Sequence, residues 1–286
     1  MFYVCCMIKT ICVAGAGTMG SGIALVAAQN GFDTLLFDLN EVVLERAAAS
    51  IEKNIRQLAD KQKITAEEGN IIFNRIQFIS DASQCIADFF IEAIIEQADA
   101  KIELFNQLAT CNNDLAIFAT NTSSLSVSTI QSGILHPERV IGMHFFNPAP
   151  VMKLVEVVKG KQTNDSTTAI VHELCKLMGK IPVLCNDSPG FIVNRIARHY
   201  YLEAMKIVES GIATIETVDE LMETSGFKMG PFELMDLIGL DINLAVTKSI
   251  YHAFDKSERF APSPLQEEKV MKGELGRKTR KGFYTY

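Results

Sequence analysis

The chain has 286 residues, a formal net charge of −7, 48% apolar residues and 21% charged residues. That length holds one large or two ordinary domains. The acidic balance, with no basic block to offset it, excludes nucleic acid and anionic membrane as natural partners. No run approaches the ~18–20 apolar residues of a membrane span.

Seven cysteines occur: Cys5, Cys6, Cys12, Cys85, Cys111, Cys175 and Cys185. The count is odd and no CxxC pair is present, which argues against a zinc site or a disulfide framework. Reduced thiols in a cytoplasmic protein are the expectation, and no metal is implied. The opening "MFYVCCMIK" is too short and too weakly charged for a secretory signal, and Met7 is an alternative start.

Residues 8–14, "IKTICVA", read as a buried strand. "GAGTMGSGIALVAAQNG" follows, in which Gly15, Gly17 and Gly20 form G-x-G-x-x-G. A helix opens there with Ile23, Val26 and Ala27 on its inner face, and Gly31 ends it. The next strand, "DTLLFD", ends at Asp38, 18 positions past the last glycine. Strand, glycine turn, helix and late acid together form a dinucleotide-binding context, whereas the glycines alone would be weak evidence. Gly15 permits the tight turn, Gly17 lets backbone approach a pyrophosphate, and Gly20 lets helix and strand pack closely. Thr18 and Met19, at the helix start, belong to the same cofactor loop. Asp38 would accept hydrogen bonds from ribose hydroxyls and repel a 2′-phosphate, favouring NAD over NADP. A nucleotide-free glycine turn is the plain alternative.

Leu44, Ala48, Ile51, Ile55 and Leu58 repeat at helical spacing, and "TAEEGNIIFNRI" gives a second helix. This is a helical hairpin inserted in the sheet order. It projects Asn54 and Lys61 on one flank, where ordinary solvated side chains are the simplest reading. Strands return at "IQFIS", "DFFIEAI" and "LAIFAT", then at "ERVIGMHFF", "VMKLVEVV" and "IPVLC". The alternation gives an α/β fold, a Rossmann-type doubly wound and mostly parallel sheet, over 1–187. From Ser188 the chain turns helical. "SPGFIVNRIARHYYLEAMKIVESG" reads as one long helix with Pro189 in its first turn. The second domain, 188–286, is expected to be all helical, with enough apolar surface to suit a homodimer or a self-contained core.

Four polar features mark a site. Ser123, in "NTSSL", follows a strand, where ligands bind in doubly wound folds. Substrate contact and helix N-cap are equally open there. His144 ends the next strand, and Asn147 lies just beyond it. Glu156 lies twelve residues past His144 among valines. "NPAP" makes a rigid turn between them. A carboxylate beside an imidazole stabilises its protonated form and fixes its tautomer, which suits proton transfer with an alcohol. A satisfied structural His–Glu pair is the alternative. Asn194, early in the second domain, reaches into the cleft in one reading and is merely exposed in the other.

"GAGTMGSGIA", "NTSSL", "HFFNPAPVMKLVEVV", "DSPGFIVNR", "MGPFELMDLIGLD" and "GRKTRKGFY" occur in that order. Together they resemble the 3-hydroxyacyl-CoA dehydrogenase family, most closely its bacterial 3-hydroxybutyryl-CoA branch, from about Ile8 to Tyr286. The resemblance implies NAD as cofactor and an acyl-CoA as substrate, and the apolar helical domain suits a homodimer. It implies that His144 is the catalytic histidine and Glu156 its partner, and that Ser123 and Asn194 position the substrate. It places Asn147 near the nicotinamide, and Glu96, Lys101 and Lys278 by the cofactor. Asn54 and Lys61 match positions that contact coenzyme A. One departure matters: Arg280 stands where the family usually has glycine, so the C-terminal loop and the Lys278 contact need checking. A related sugar-acid (gulonate-type) dehydrogenase and a non-enzymatic NAD-binding protein are the rival readings.

Overall fold

A computed structural model describes residues 8–286. The readings made on Cys5, Cys6 and Met7 lie outside the described residues. Contacts divide the chain into two units, one ending at Asp187 and the other running Ser188–Tyr286.

The first unit is built on one eight-stranded sheet in the order β3-β2-β1-β4-β5-β6-β7-β8. The strands are β1 (Thr10–Ala14), β2 (Asp33–Phe37), β3 (Ile76–Ile79), β4 (Phe89–Glu92), β5 (Ile117–Thr120), β6 (Val140–Phe145), β7 (Leu154–Lys159) and β8 (Ile181–Asn186). All neighbouring pairs are parallel except β6–β7. The carboxyl ends of β1, β4, β5 and β6 therefore share one edge. The order reverses at β1, which lies between β2 and β4, and such a switch point is where doubly wound sheets bind ligands.

Both faces of the sheet are covered. Ile11 and Val13 enter one apolar cluster and Cys12 and Ala14 the other. Alternation along an extended strand sends successive side chains to opposite faces. Phe90 and Phe118 stack at 5.0 Å on the second face, and each contributes roughly 1.5–3 kcal/mol by leaving water.

Helices α1 (Thr18–Gln29), α2 (Glu41–Asp60), α3 (Ala66–Asn74), α4 (Ala98–Cys111), α5 (Val127–Gln131) and α6 (Asp165–Leu177) complete this unit. The inserted hairpin is α2 with α3. Its second helix starts at a capping box, in which Thr65 and Glu68 satisfy each other's backbone N–H. The buried stripe of α2 is Leu44, Ala47, Ile51 and Ile55. Ala47 thus takes the place of the expected Ala48, since steps of three and of four both stay on one helical face, and Leu58 is only half-buried.

The second unit holds α7 (Val193–Glu209), α8 (Ile215–Thr224), α9 (Pro231–Ile238), α10 (Leu240–Ala253) and α11 (Pro264–Met271). Tyr201, Leu202, Met205, Phe232, Met235 and Leu240 are in its core. The long helix expected from Pro189 begins instead at Val193. Gly190 (φ 72°) and Phe191 (φ 49°) take left-handed backbone, which an α-helix cannot include, so Pro189 sits in the preceding turn. Gly239, at φ 102°, likewise separates α9 from α10. Among the described residues no helix is long and apolar enough to cross a membrane.

Candidate active site

The glycine loop is sterically determined. Gly15 lies at φ 100°, and a Cβ there would sit 2.6 Å from the Ala93 carbonyl oxygen. A Cβ on Gly20 would sit 1.7 Å from the Gly15 carbonyl oxygen. Gly17 differs, since a Cβ there would meet nothing within 4 Å. Its missing side chain leaves open space at the N-terminus of α1. No side chain caps that helix, and no acid lies in its first turn. Uncapped N–H groups at a helix start favour an anion. Thr18 is exposed and Met19 half-buried beside them. Asp38 follows β2, and its carboxylate accepts the Ala16 N–H at 2.9 Å and the Asn40 N–H at 3.0 Å. The acid is thus held against the glycine loop. These features fit a dinucleotide with its pyrophosphate at Gly17 and a ribose at Asp38.

His144 and Glu156 are direct cross-strand partners in the antiparallel β6–β7 ladder. Side chains of such partners stand on the same face. His144 Nδ1 lies 2.7 Å from Glu156 Oε2, with His144 6% and Glu156 1% exposed. The Phe146 ring packs on the imidazole at 4.5 Å between centroids. Nδ1 faces the carboxylate, and Nε2 is the other ring nitrogen able to carry a proton. The pairing arises from strand register, and the "NPAP" turn only reverses the chain.

Ser123 lies in the loop after β5. It is not a helix cap: the N-cap of α5 is Ser126, which accepts the Thr129 N–H. The loop is held by Glu96. One carboxylate oxygen, Oε1, accepts the Thr122 hydroxyl, the Ser123 N–H at 3.1 Å, the Ser124 N–H at 3.2 Å and the Ser124 hydroxyl at 2.9 Å. Burial works to raise the Glu96 carboxyl, but the Lys101 charge and these hydrogen bonds outweigh it and hold it below the usual range. Lys101 is only 1% exposed. Its ammonium lies 2.5 Å from Glu92 and 3.2 Å from Glu96. Its expected place by a cofactor is thus narrowed, because the charge sits behind Glu96, already paired.

Two residues with no assigned role in the sequence reading also shape this edge. Glu92 is wholly buried, and burial raises its carboxyl against the opposing pull of Lys101 and Thr120. Asn121 accepts the Phe145 N–H at 2.8 Å, and so ties the serine loop to the residue after His144. A buried acid closing the strand "FFIE" was the available signal for Glu92. Nothing local pointed to Asn121.

Asn147 is exposed just past β6. Asn54 and Lys61 are exposed on α2 and at its C-cap. In the helical unit, Asn194 is the second residue of α7. Lys278 pairs with both Asp241 carboxylate oxygens at 2.6 Å. Arg280 adopts the left-handed conformation (φ 58°, ψ 10°) suited to glycine, so the loop keeps the turn and the arginine accommodates it. Among the described residues no group of three His, Cys, Asp or Glu side chains is arranged to hold a metal ion.

A doubly wound sheet with a glycine loop at its switch point defines a dinucleotide-binding domain. The family models agree. Residues 10–188 match the 3-hydroxyacyl-CoA dehydrogenase NAD binding domain, and residues 190–286 match the C-terminal domain of the same family. The chain belongs to the 3-hydroxyacyl-CoA dehydrogenase family, whose cofactor is NAD. It is 41% identical to a probable 3-hydroxybutyryl-CoA dehydrogenase of Deinococcus radiodurans, over 96% of this chain and 99% of that one. It is 45% identical to the 3-hydroxyadipyl-CoA dehydrogenase of Escherichia coli, over 98% of this chain, but spans only 59% of that longer protein. The solved (S)-3-hydroxybutyryl-CoA dehydrogenase of Ralstonia eutropha superposes with a TM-score of 0.94 at 37% identity, covering 98% of this chain and 99% of that one.

Proposed function

We propose that the chain catalyses the reversible oxidation of a short-chain (3S)-3-hydroxyacyl-CoA to the 3-ketoacyl-CoA. The buried His144–Glu156 pair carries this reading. NAD, when bound, supplies the acceptor for the hydride from C3. His144 Nε2 takes the hydroxyl proton in oxidation and returns it to the carbonyl oxygen in reduction. Glu156 holds the ring and stabilises its protonated form. Ser123 and Asn194 position the reacting oxygen, which lowers the barrier by orientation. Asn147, Glu96 and Lys278 serve the cofactor, with Lys101 acting through Glu96. Asn54 and Lys61 meet the coenzyme A handle, whose binding energy orients the short acyl group.

Relatives named as 3-hydroxybutyryl-CoA dehydrogenases support the short chain. A homodimer through the helical unit is part of the reading, supported by the exposed Ile196, Leu237, Ile238 and Ile242. A cytoplasmic location fits the five free cysteines among the described residues. Acetoacetyl-CoA and a free sugar acid, each assayed with the matching NAD form, test the substrate class. Turnover of the thioester alone supports the reading. Turnover of the free acid alone overturns it.

A further inference from the structure

The sheet's carboxyl edge holds a buried ionic relay that the proton-transfer chemistry does not use. Glu92 closes β4. Its Oε1 accepts the Ile94 N–H at 2.7 Å and the Lys101 ammonium at 2.5 Å, and its Oε2 accepts the Thr120 hydroxyl at 2.7 Å. Lys101, on the first turn of α4, bridges on to Glu96 Oε2 at 3.2 Å. Glu96 Oε1 then gathers the four donors of Thr122, Ser123 and Ser124. The path runs without a gap from a wholly buried carboxylate to the backbone of the serine placed at the substrate.

Stability does not account for this arrangement. Burying an ammonium and a carboxylate costs several kcal/mol per ion, and well-packed apolar side chains of similar volume often do as well or better. Pinning a half-exposed glutamate is something apolar residues cannot do. Glu96 is 38% exposed, and a free glutamate there would sample several rotamers. Lys101 selects the one that puts Oε1 under the loop. Lys101 itself keeps a single position because Glu92, fixed on three sides, receives it. The Glu92 backbone carbonyl also accepts the Asn121 N–H at 2.8 Å, so strand β4 grips the loop twice.

We propose that Glu92 is a positioning residue of the reaction, acting through Lys101 and Glu96 to set the place of Ser123. This rests on the substrate role given to Ser123 above. Displacing a positioned group by about 1 Å can cost on the order of a hundredfold in rate.

The test is a double-mutant cycle on the full chain, with acetoacetyl-CoA and NADH, reading kcat, KM and thermal melting. Glu92→Gln keeps the shape and removes the charge. The expected result is a kcat about ten- to a hundredfold lower at saturating NADH, with a lower melting temperature because one partner of a buried ion pair has lost its charge. In a Ser123→Ala background the same change should cost less than about threefold, because no hydroxyl remains to be placed. Thr120→Val, which removes the hydroxyl that donates to Glu92 at 2.7 Å and accepts the Thr122 N–H at 3.3 Å, should show the same pattern and serves if Glu92→Gln does not fold. Losses that multiply independently in the two backgrounds overturn the proposal, as does an unchanged kcat in Glu92→Gln. Absence of turnover by the intact protein would overturn the substrate reading instead, and is thereby distinguished.

Discussion

Glu156 faces His144 because the strands carrying them run in opposite directions. Glu156 is the third residue of β7 and His144 the fifth of β6, and antiparallel register sets them opposite each other, Oε2 to Nδ1 at 2.7 Å. A parallel β7 would have put its early residues at the far end of the sheet. The single reversal in the ladder thus brings an acid to the edge where the histidine works. Glu156→Gln preserves volume and removes the charge that stabilises the imidazolium. Its kcat should fall about a hundredfold or more, with KM for acetoacetyl-CoA little changed. A loss confined to KM would mean that the carboxylate serves binding instead.

The glycine loop separates folding from binding. Gly20→Ala drives a Cβ into the Gly15 carbonyl, and should destabilise by about 1–3 kcal/mol, read as a lower melting temperature without ligand. Gly17→Ala meets only open space. Its apo melting temperature should stay unchanged while NAD affinity, measured by calorimetry, drops about tenfold or more. Equal NAD affinity in Gly17→Ala and the intact chain would remove the pyrophosphate from that position.

Arg280 holds a left-handed backbone without being glycine. For an L-residue that conformation costs roughly 1–2 kcal/mol. Arg280→Gly should therefore raise stability by about 1 kcal/mol, measured by urea unfolding. A destabilised variant would show that contacts of the arginine outweigh the strain.

Glu274 anchors the C-terminal segment. Hydrogen bonds from Lys269 and then Lys281 pull its carboxyl from the ordinary 4.5 down to about 2. A depressed folded value means that the contribution is complete above the unfolded value and is lost as pH falls toward the folded one. The melting difference between the intact chain and Glu274→Gln should be constant above about pH 5 and shrink steadily below it. A difference that persists unchanged to about pH 3 would assign the effect to packing.

Much of this was legible in the sequence because its causes are local. Gly15 and Gly20 announce a tight turn and a close packing by spacing alone, and in the structure a Cβ at either would collide with backbone, while Gly17 faces open space and Asp38 accepts the Ala16 N–H. His144 and Glu156 stood out as polar residues in apolar strands. How they meet was not legible, since register is a property of two strands paired in space. The same holds for Lys101, placed by the cofactor only through the family resemblance, since its pairing with Glu92, nine residues earlier, arises in the fold. The late start of α7 was hidden too, because Phe191 gives no sign of the left-handed backbone it adopts. Ser126, three residues past Ser123, holds the capping role that the sequence left open for Ser123.

The account rests on His144 as the proton-transfer group. The most direct measurement follows loss of NADH absorbance with acetoacetyl-CoA, for the intact protein beside His144→Ala, with NADH affinity measured for both. The account predicts fast turnover by the intact chain, a kcat lower by about 10²–10⁴ in the variant, and equal NADH affinity. A variant that turns over within about threefold of the intact protein, with cofactor bound equally well, would contradict it, since general acid–base catalysis contributes at least ~10².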